Sequence, residues 1–301
     1  MLKNVLHFDE IITHSITDEK LALKNIRLDV LRADRIHEVV SGNKWFKLSL
    51  YLKDAMDKGF KTIGTFGGAY SNHIIATAFA ANISGLNSIG LIRGERAKLL
   101  SQTLLHAMEE NMELRFLSRS DYKNPQKFID EEPHIYWIPE GGYGIPGAEG
   151  AKEMLSFVPD LPAYDYIVAA TGTGTMLAGL IKAISDHQKV IGISVMKGNF
   201  ELTQKVKDLL TPAEQLKNFE LVHDFHFGGY AKHPQQLLDF INELWRTHNL
   251  PTDIVYTSKT LFAIFSLIDQ NFFKEGTKIL MIHSGGLQGN SSLAPQTLRF
   301  C

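Results

Sequence analysis

Two lysines in the segment 41–47 have residue types and spacing that could support amine chemistry. Lys44 and Lys47 are three residues apart, so on a helix they share a face. A lysine at the start of a helix beside Trp45 and Phe46 can be partly desolvated. Desolvation lowers the pKa of the amine and frees its lone pair to react with a carbonyl. Most lysines, however, are solvated surface residues, and the segment alone favours that alternative.

A second segment could hold a phosphate group, because a buried strand ending at Ala170 is followed by a glycine-rich turn and a helix. Glycines let a backbone approach a ligand closely, and the first N–H groups and the dipole of the helix favour an anion. A tight turn without a ligand is an equally good interpretation of this motif alone. The turn consists of Thr171, Gly172, Thr173, Gly174 and Thr175.

Two known phosphate-binding motifs fit this turn poorly. A P-loop ends in Gly-Lys-Ser/Thr, whereas residues 174–176 are Gly-Thr-Met. A dinucleotide site needs different glycine spacing and an acid at the end of the next strand, which here ends near Val195 without one. The twelve histidines contain no His-Glu-x-x-His motif. A nicotinamide oxidoreductase and a zinc hydrolase are therefore disfavoured.

Two further polar clusters follow strands that end in glycines. In segment 67–73, Ser71 or Asn72 could cap a helix, or the helix start could bind a carboxylate. In segment 283–289, Ser284 is a small hydroxyl residue that could serve only a turn.

Strands and helices alternate along the chain, which predicts an α/β fold with a parallel sheet. The predicted strands are 61–66, 88–93, 113–117, 166–170, 189–195 and 278–283, and the predicted helices are 72–82, 97–112, 148–157 and 175–184. The Gly- and Pro-rich stretch 138–147 indicates a crossing between two domains. We expect a large domain from residues 1–46 and 139–301, and a small α/β domain from residues 47–138.

Composition narrows the possible partners and compartment. The 31 basic and 33 acidic residues give a net charge of −2, which disfavours nucleic acid and favours small metabolites. The single cysteine, Cys301, permits neither an internal disulfide nor a cysteine-based zinc site, and it suits a reducing cytosol. Residues 1–10 lack the apolar core of a signal peptide, and no apolar run of about 18 residues occurs. We therefore expect a cytoplasmic protein without a membrane span.

Six segments in a fixed order resemble the 1-aminocyclopropane-1-carboxylate deaminase/D-cysteine desulfhydrase family. This family belongs to the fold-type II, tryptophan synthase β-like enzymes that use pyridoxal phosphate. The resemblance spans about residues 31–289, in a chain shorter than typical members, and it implies a three-layer, two-domain fold and a homodimer. The segments are Gly-Asn-Lys (42–44), Gly-Gly-x-x-Ser-Asn-His (67–73), Ile-Pro-x-Gly-Gly (138–142), the turn 171–175, Val-Tyr-Thr-x-Lys (255–259) and Ile-His-Ser-Gly-Gly-Leu (282–287).

The resemblance implies roles for residues around the cofactor. Lys44 matches the Schiff-base lysine, and Lys47 matches a ligand of the cofactor phosphate. The turn 171–175 matches the phosphate loop. Asn72 matches the residue that hydrogen-bonds the phenolic oxygen. Ser284 lies where the pyridine nitrogen or the substrate pocket is contacted.

The resemblance also implies residues that act on a small amino-acid substrate. Ser71 and His73, beside Asn72, match positions that meet the substrate carboxylate or assist proton transfer. Tyr256 matches an active-site tyrosine. Tyr230 resembles a second one, although the family's Gly-Tyr-Gly is Gly-Tyr-Ala here.

Two positions bear on the choice of reaction. Deaminases of the family commonly carry Glu after the tyrosine that matches Tyr256, and an apolar residue where Ser284 stands. This chain has Thr257 and Ser284, and a hydroxyl cannot hold a proton on the ring nitrogen as Glu would. We therefore predict a lyase that eliminates sulfide, pyruvate and ammonia from D-cysteine. Cyclopropane-acid deamination and a non-catalytic pyridoxal-phosphate-binding protein are the alternatives, and the presence of Ser71, Asn72 and Tyr256 weighs against the second.

Overall fold

The computed structural model describes residues 5–300, so residues 1–4 and Cys301 lie outside the description. The expectations for Cys301 and for the first four residues therefore stay predictions. Within residues 5–300, ten strands form two sheets. The strands are β1 Thr13–Ile16, β2 Arg27–Leu31, β3 Thr62–Gly67, β4 Asn87–Arg93, β5 Met112–Leu117, β6 Tyr136–Ile138, β7 Tyr166–Thr171, β8 Lys189–Ser194, β9 Phe219–Val222 and β10 Lys278–Ile282.

The larger sheet has six strands in the order β1-β2-β10-β7-β8-β9. All neighbouring pairs are parallel except β1 and β2, which are antiparallel. The smaller sheet has the order β5-β4-β3-β6 and is parallel throughout. Both sheets therefore collect the carboxyl ends of their parallel strands along one edge, where loops can build a site.

The described part of the chain has ten α-helices that cover the sheets, and several begin at a side-chain cap. Ser71 caps α3 and Ser101 caps α4. The apolar residues of α3 lie on all its sides, which explains why it is almost completely buried. The helices are α1 Glu19–Leu23, α2 Asn43–Asp57, α3 Asn72–Ile83, α4 Gln102–Glu109, α5 Gln126–Glu131, α6 Ile145–Lys152, α7 Thr175–Ala183, α8 Leu202–Lys207, α9 Gln235–His248 and α10 Thr257–Asp269.

Apolar clusters cover both faces of the six-stranded sheet. On one face, residues of α2, α6 and α7 pack with β7 and β10, and on the other face α10 packs with β2, β8 and β10. This arrangement confirms the α/β class with parallel sheets. Helix α2 runs through the predicted domain boundary at residues 46 and 47, and the division into two domains stays a prediction.

Helix α4 departs from the prediction of a helix over 97–112. It begins only at Gln102, because Ser101 caps it, and it ends at Glu109. Asn111 then adopts a left-handed φ of 63°, which turns the chain into β5. Strands β1, β2, β6 and β9 were not predicted, and neither was α10. Within residues 5–300, no helix is long and apolar enough to span a membrane.

Candidate active site

The N-terminus of α2 lies directly on the loop that follows β10. Gly42 adopts a φ of 60°, and a Cβ atom there would lie 2.1 Å from the carbonyl of Ser284. The N–H of Asn43 donates to the Ser284 carbonyl oxygen at 3.2 Å. Close approach and a left-handed φ both require glycine at position 42. The structure thus joins two segments that are about 240 residues apart in sequence.

Lys44 is the second residue of α2 and is partly buried, as the sequence predicts for a lysine at a helix start. Its Nζ donates to the side-chain oxygen of Asn43 at 2.9 Å. Burial lowers the pKa of the Lys44 amine to about 8, and the charge of Asp253 opposes this shift. A substantial fraction of the amine is therefore neutral, and able to attack a carbonyl, near neutral pH.

Lys47 lies one turn further along α2 and is buried. Its Nζ donates to the carbonyl of Gly141 at 3.2 Å. Burial lowers the pKa of Lys47 well below its usual value, and the charge of Lys44 lowers it further. Gly141 also contacts the glycine-rich turn, because a Cβ atom on Gly141 would lie 2.9 Å from Thr173 Cγ2. Lys47 and the turn therefore both adjoin Gly141.

The glycine-rich turn forms a cradle at the start of α7. Gly174 precedes the helix with a φ of 91°, and no side chain within residues 5–300 caps this helix. The hydroxyls of Thr173 and Thr175 are 3.1 Å apart. Uncapped N–H groups, two hydroxyls and a nearby lysine are suited to an anion such as phosphate. The hydroxyl of Thr171 instead donates to the Ala169 carbonyl at 3.4 Å, so this residue offers the cradle only its backbone.

The start of α3 brings Ser71 and Asn72 to the same region. Ser71 Oγ accepts long hydrogen bonds from the N–H groups of His73 and Ile74, at 3.3 and 3.4 Å, so it is the cap of α3. Asn72 Nδ2 donates weakly to the Gly286 carbonyl at 3.5 Å. Within the described residues, the buried Oδ1 of Asn72 has no hydrogen-bond partner. Ser71 thus caps α3, and the side-chain oxygen of Asn72 is available to a ligand.

The imidazole of His73 points into the protein rather than towards the helix start. The Thr65 hydroxyl donates to the Ile138 carbonyl at 2.9 Å, so it accepts from His73 Nε2, which lies 2.8 Å away. His73 Nδ1 is then an acceptor, and within residues 5–300 it has no partner. Burial and the charges of the two lysines in α2 lower the pKa of His73 well below its usual value. In this orientation the ring offers an acceptor rather than a donor, and the expected role of His73 at the substrate stays a prediction.

Tyr256 lies between the cradle and Tyr230. A Cβ atom on Gly172 would be 3.6 Å from the Tyr256 ring. The rings of Tyr256 and Tyr230 are 6.1 Å apart and nearly perpendicular. Burial, followed by the neighbouring phenol, raises the pKa of Tyr256 well above its usual value. Tyr256 is therefore a neutral phenol, which can donate a hydrogen bond but is a weak acid.

Asp253 is a buried residue of the site that the sequence interpretation missed. Its carboxylate accepts four hydrogen bonds of 2.6 to 2.8 Å, from the N–H groups of Val255, Tyr256 and Thr257 and from the hydroxyl of Thr257. These contacts fix the start of α10 and use all four lone pairs of the carboxylate. An aspartate shortly before a helix is a usual capping signal, and it could have indicated α10.

The donor set fits pyridoxal phosphate. The lowered pKa of Lys44 suits reaction with its aldehyde, and the uncapped start of α7 suits its phosphate. The buried Oδ1 of Asn72, which has no partner within the described residues, lies at the helix start that faces the Ser284 loop. Ser284 is buried, and its backbone contacts α2. The structure thus brings together all the segments that the sequence singled out.

Comparisons with known proteins agree with this donor set. A family model described as pyridoxal-phosphate dependent enzyme matches residues 32–285. A Thermotoga maritima protein, named provisionally as a 1-aminocyclopropane-1-carboxylate deaminase, is 31% identical over 86% of this chain and 88% of its own. The Arabidopsis thaliana mitochondrial bifunctional D-cysteine desulfhydrase/1-aminocyclopropane-1-carboxylate deaminase is 29% identical over 83% of this chain and 70% of its own.

A solved structure is similar over most of the fold. The crystal structure of a homologue of 1-aminocyclopropane-1-carboxylate (ACC) deaminase superposes on this chain with a TM-score of 0.80 and 26% sequence identity. The match covers 93% of this chain and 90% of that one. It confirms the predicted fold type and leaves the choice between the two activities open.

Proposed function

The chain belongs to the pyridoxal-phosphate dependent enzyme family, and on this premise we propose that it is a lyase that eliminates sulfide from D-cysteine or a related D-amino acid. The overall reaction converts D-cysteine and water into sulfide, pyruvate and ammonia. Bound pyridoxal phosphate supplies an electron sink for the charge that develops on the substrate. The relatives carry the names of both a desulfhydrase and a cyclopropane-acid deaminase, so the residues of this chain must support the choice.

The observation that carries the proposal is the hydrogen bonding around Thr257. Its hydroxyl donates to Asp253 Oδ1 at 2.6 Å and accepts the Asp253 N–H at 2.9 Å. The neighbouring carboxylate of Asp253 has no free lone pair, and Ser284 offers only a neutral hydroxyl. Thr257, Asp253 and Ser284 thus supply no carboxyl group that could keep the ring nitrogen protonated. An unprotonated ring is a weaker electron sink. Elimination of a good leaving group such as a thiolate needs a weaker sink than ring opening.

Lys44 and Lys47 have separate tasks in this proposal. Lys44 would hold the cofactor through its amine, and its free amine would be the base for the proton on the substrate α-carbon. Lys47 supplies positive charge beside the phosphate cradle at the start of α7. Because both amines are buried, water does not compete with the cofactor for contact with them.

The start of α3 and the phenol of Tyr256 complete the substrate side. We assign the substrate carboxylate to the start of α3, where the Ser71 hydroxyl can donate to it. The Nδ1 atom of neutral His73 can accept a hydrogen bond from the substrate beside Lys44 and Lys47. Tyr256 is a neutral phenol that can donate a hydrogen bond to the leaving sulfur, with Tyr230 as its neighbour. We also propose, from the family resemblance, that the protein is cytoplasmic and acts as a homodimer.

A substrate panel tests the proposal directly. The holoenzyme is supplied with D-cysteine, L-cysteine and the cyclopropane acid, and sulfide, ammonia and the two 2-oxo acids are measured. We expect sulfide and pyruvate from D-cysteine at a rate at least tenfold above 2-oxobutyrate formation. Faster opening of the cyclopropane acid would instead identify a deaminase, and no turnover of any amino acid would indicate a binding protein.

A further inference from the structure

Lys259 is a fully buried lysine to which the proposed chemistry gives no task. It is the third residue of α10, three positions after Tyr256. Its Nζ donates to two backbone carbonyls, that of His226 at 3.0 Å and that of Gly229 at 2.8 Å. Both acceptors belong to the loop 226–231, which carries Tyr230.

The backbone of this loop is unusual and needs support from its surroundings. Four of its six residues have positive φ, namely Phe227 at 55°, Gly228 at 94°, Gly229 at 133° and Ala231 at 55°. Phenylalanine and alanine rarely adopt such values, and strained backbone persists only where neighbouring contacts hold it. The Lys259 ammonium supplies such contacts, because it binds one carbonyl on each side of the Phe227–Gly228 turn.

The same helix start therefore controls both phenols of the site. Tyr256 immediately precedes α10 and is fixed through its N–H by Asp253. Tyr230 is fixed to the same helix through the loop carbonyls that Lys259 binds. The result is the perpendicular pair of rings at 6.1 Å.

A role in packing alone does not explain an ammonium group at this position. Burying a charge is costly, and a methionine of similar length would fill the same space without that cost. The ammonium adds hydrogen bonds to two oxygen atoms of the loop, which an apolar side chain cannot make. Its specific contribution is therefore the conformation of the loop.

We propose that Lys259 is a positioning residue that holds the loop 226–231 so that Tyr230 pairs with Tyr256. Its effect on turnover rests on the proposed function, whereas its effect on the loop does not. A test can therefore separate the two.

Hydrogen exchange measured by mass spectrometry tests the loop in the holoenzyme. In Lys259→Met, we expect amides of peptides covering 226–231 to exchange at least tenfold faster than in the wild type. Lys217→Met is the matched control, because Lys217 also donates to two backbone carbonyls, of Lys182 and Ile184, both at 2.8 Å. It should leave the loop unchanged. Unchanged exchange in Lys259→Met, or equal acceleration in both variants, would overturn the proposal.

Chemical rescue separates the ammonium from the space it fills. Lys259→Ala leaves room for n-propylammonium, which restores the missing atoms, whereas Lys259→Met fills that room. We expect n-propylammonium to slow loop exchange in the alanine variant and not in the methionine variant. No protection in the alanine variant, or equal protection in both, contradicts the proposal. If the methionine variant does not fold, the alanine variant with and without the amine decides alone.

Turnover adds a readout that depends on the proposed function. With D-cysteine, Lys259→Met should lower kcat at least tenfold with little change in KM, and it should have no further effect in a Tyr230→Phe background. Additive losses would indicate general damage and overturn the positioning role. A wild-type enzyme inert to D-cysteine would refute the proposed function, while the exchange experiments would still judge Lys259.

Discussion

Gly42 lies so close to Ser284 that a Cβ atom on the glycine would be 2.1 Å from both atoms of the serine carbonyl. This contact places Lys44, two residues further on, over the loop that follows β10. The distance between Lys44 and the Ser284 loop therefore depends on the absence of a methyl group at position 42.

The first prediction concerns Gly42→Ala. The new methyl group clashes with backbone, and the φ of 60° disfavours alanine, so we expect a loss of stability of about 3 kcal/mol together with poor cofactor retention. Urea unfolding and the visible absorbance of the bound cofactor measure the two effects. Gly59→Ala is the control, because Gly59 has a φ of 79° but no atom near its Cβ position. Equal losses in both variants would show that the contact with Ser284 is unimportant.

The second prediction concerns the attachment of the cofactor to Lys44. Borohydride reduction of the holoenzyme should fix the cofactor to Lys44, and peptide mass spectrometry should find the added mass there. Lys44→Ala should lose this label and the visible absorbance while keeping its fold. Lys47→Ala should keep the label and bind the cofactor more weakly, because it removes charge beside the phosphate. A label on Lys47, or on any other residue, would refute the assignment.

The third prediction is a pH dependence of cofactor capture by the apoenzyme. Lys44 reacts as a neutral amine, and its pKa is lowered to about 8, so the capture rate should rise with pH through 8 and level off above it. The rise from pH 7 to pH 9 should be about tenfold. Asp253 acts against this shift, while Lys47 and neutral His73 add no negative charge. Stopped-flow absorbance measures the rate.

A free lysine derivative is the control for this profile, because the cofactor itself also titrates. Its amine keeps a pKa near 10.4, so its rate with the same cofactor should continue to rise beyond pH 9. An enzyme profile that follows the free amine would mean that burial does not activate Lys44.

The fourth prediction concerns Thr257. Thr257→Val removes the hydroxyl that donates to buried Asp253, and we expect a loss of about 2 kcal/mol in urea unfolding. Thr257→Glu should destabilise more, because it brings a second carboxylate beside Asp253. The folded variant should gain ring opening of the cyclopropane acid relative to sulfide release, because a Glu at this position could hold a proton on the ring nitrogen. The control is Thr252→Val. Thr252 is fully buried and its hydroxyl has no partner within residues 5–300, so this change should be neutral or stabilising. A folded Thr257→Glu variant with no gain in cyclopropane-acid turnover relative to sulfide release would contradict our interpretation.

The sequence predicted the parts of the site that local patterns determine. The helix start at Lys44 and the cap at Ser71 depend on neighbouring residues, and the structure has both. The strand-to-glycine transitions after β3, β7 and β10 were visible for the same reason. Their meeting at one place follows from parallel strands, whose carboxyl ends share an edge.

Other features depend on contacts that no local pattern shows. The segment of Lys259 was recognised, but its role needs a loop that lies 30 residues earlier in the chain to fold against it. The inward direction of His73 depends on Thr65, which belongs to the preceding strand. Asp253 was within reach of a capping argument, and it was missed because α10 itself was not predicted.

The hydrogen-bond chain from His73 through Thr65 to the Ile138 carbonyl has one more consequence. It fixes the tautomer of the ring, because the proton on His73 Nε2 leaves Nδ1 as a hydrogen-bond acceptor. Beside Lys44 and Lys47, the ring therefore offers an acceptor to an amine or hydroxyl group of a ligand and no N–H to an oxyanion. The donors that remain for negative groups are the two lysines and the N–H groups at the starts of α3 and α7.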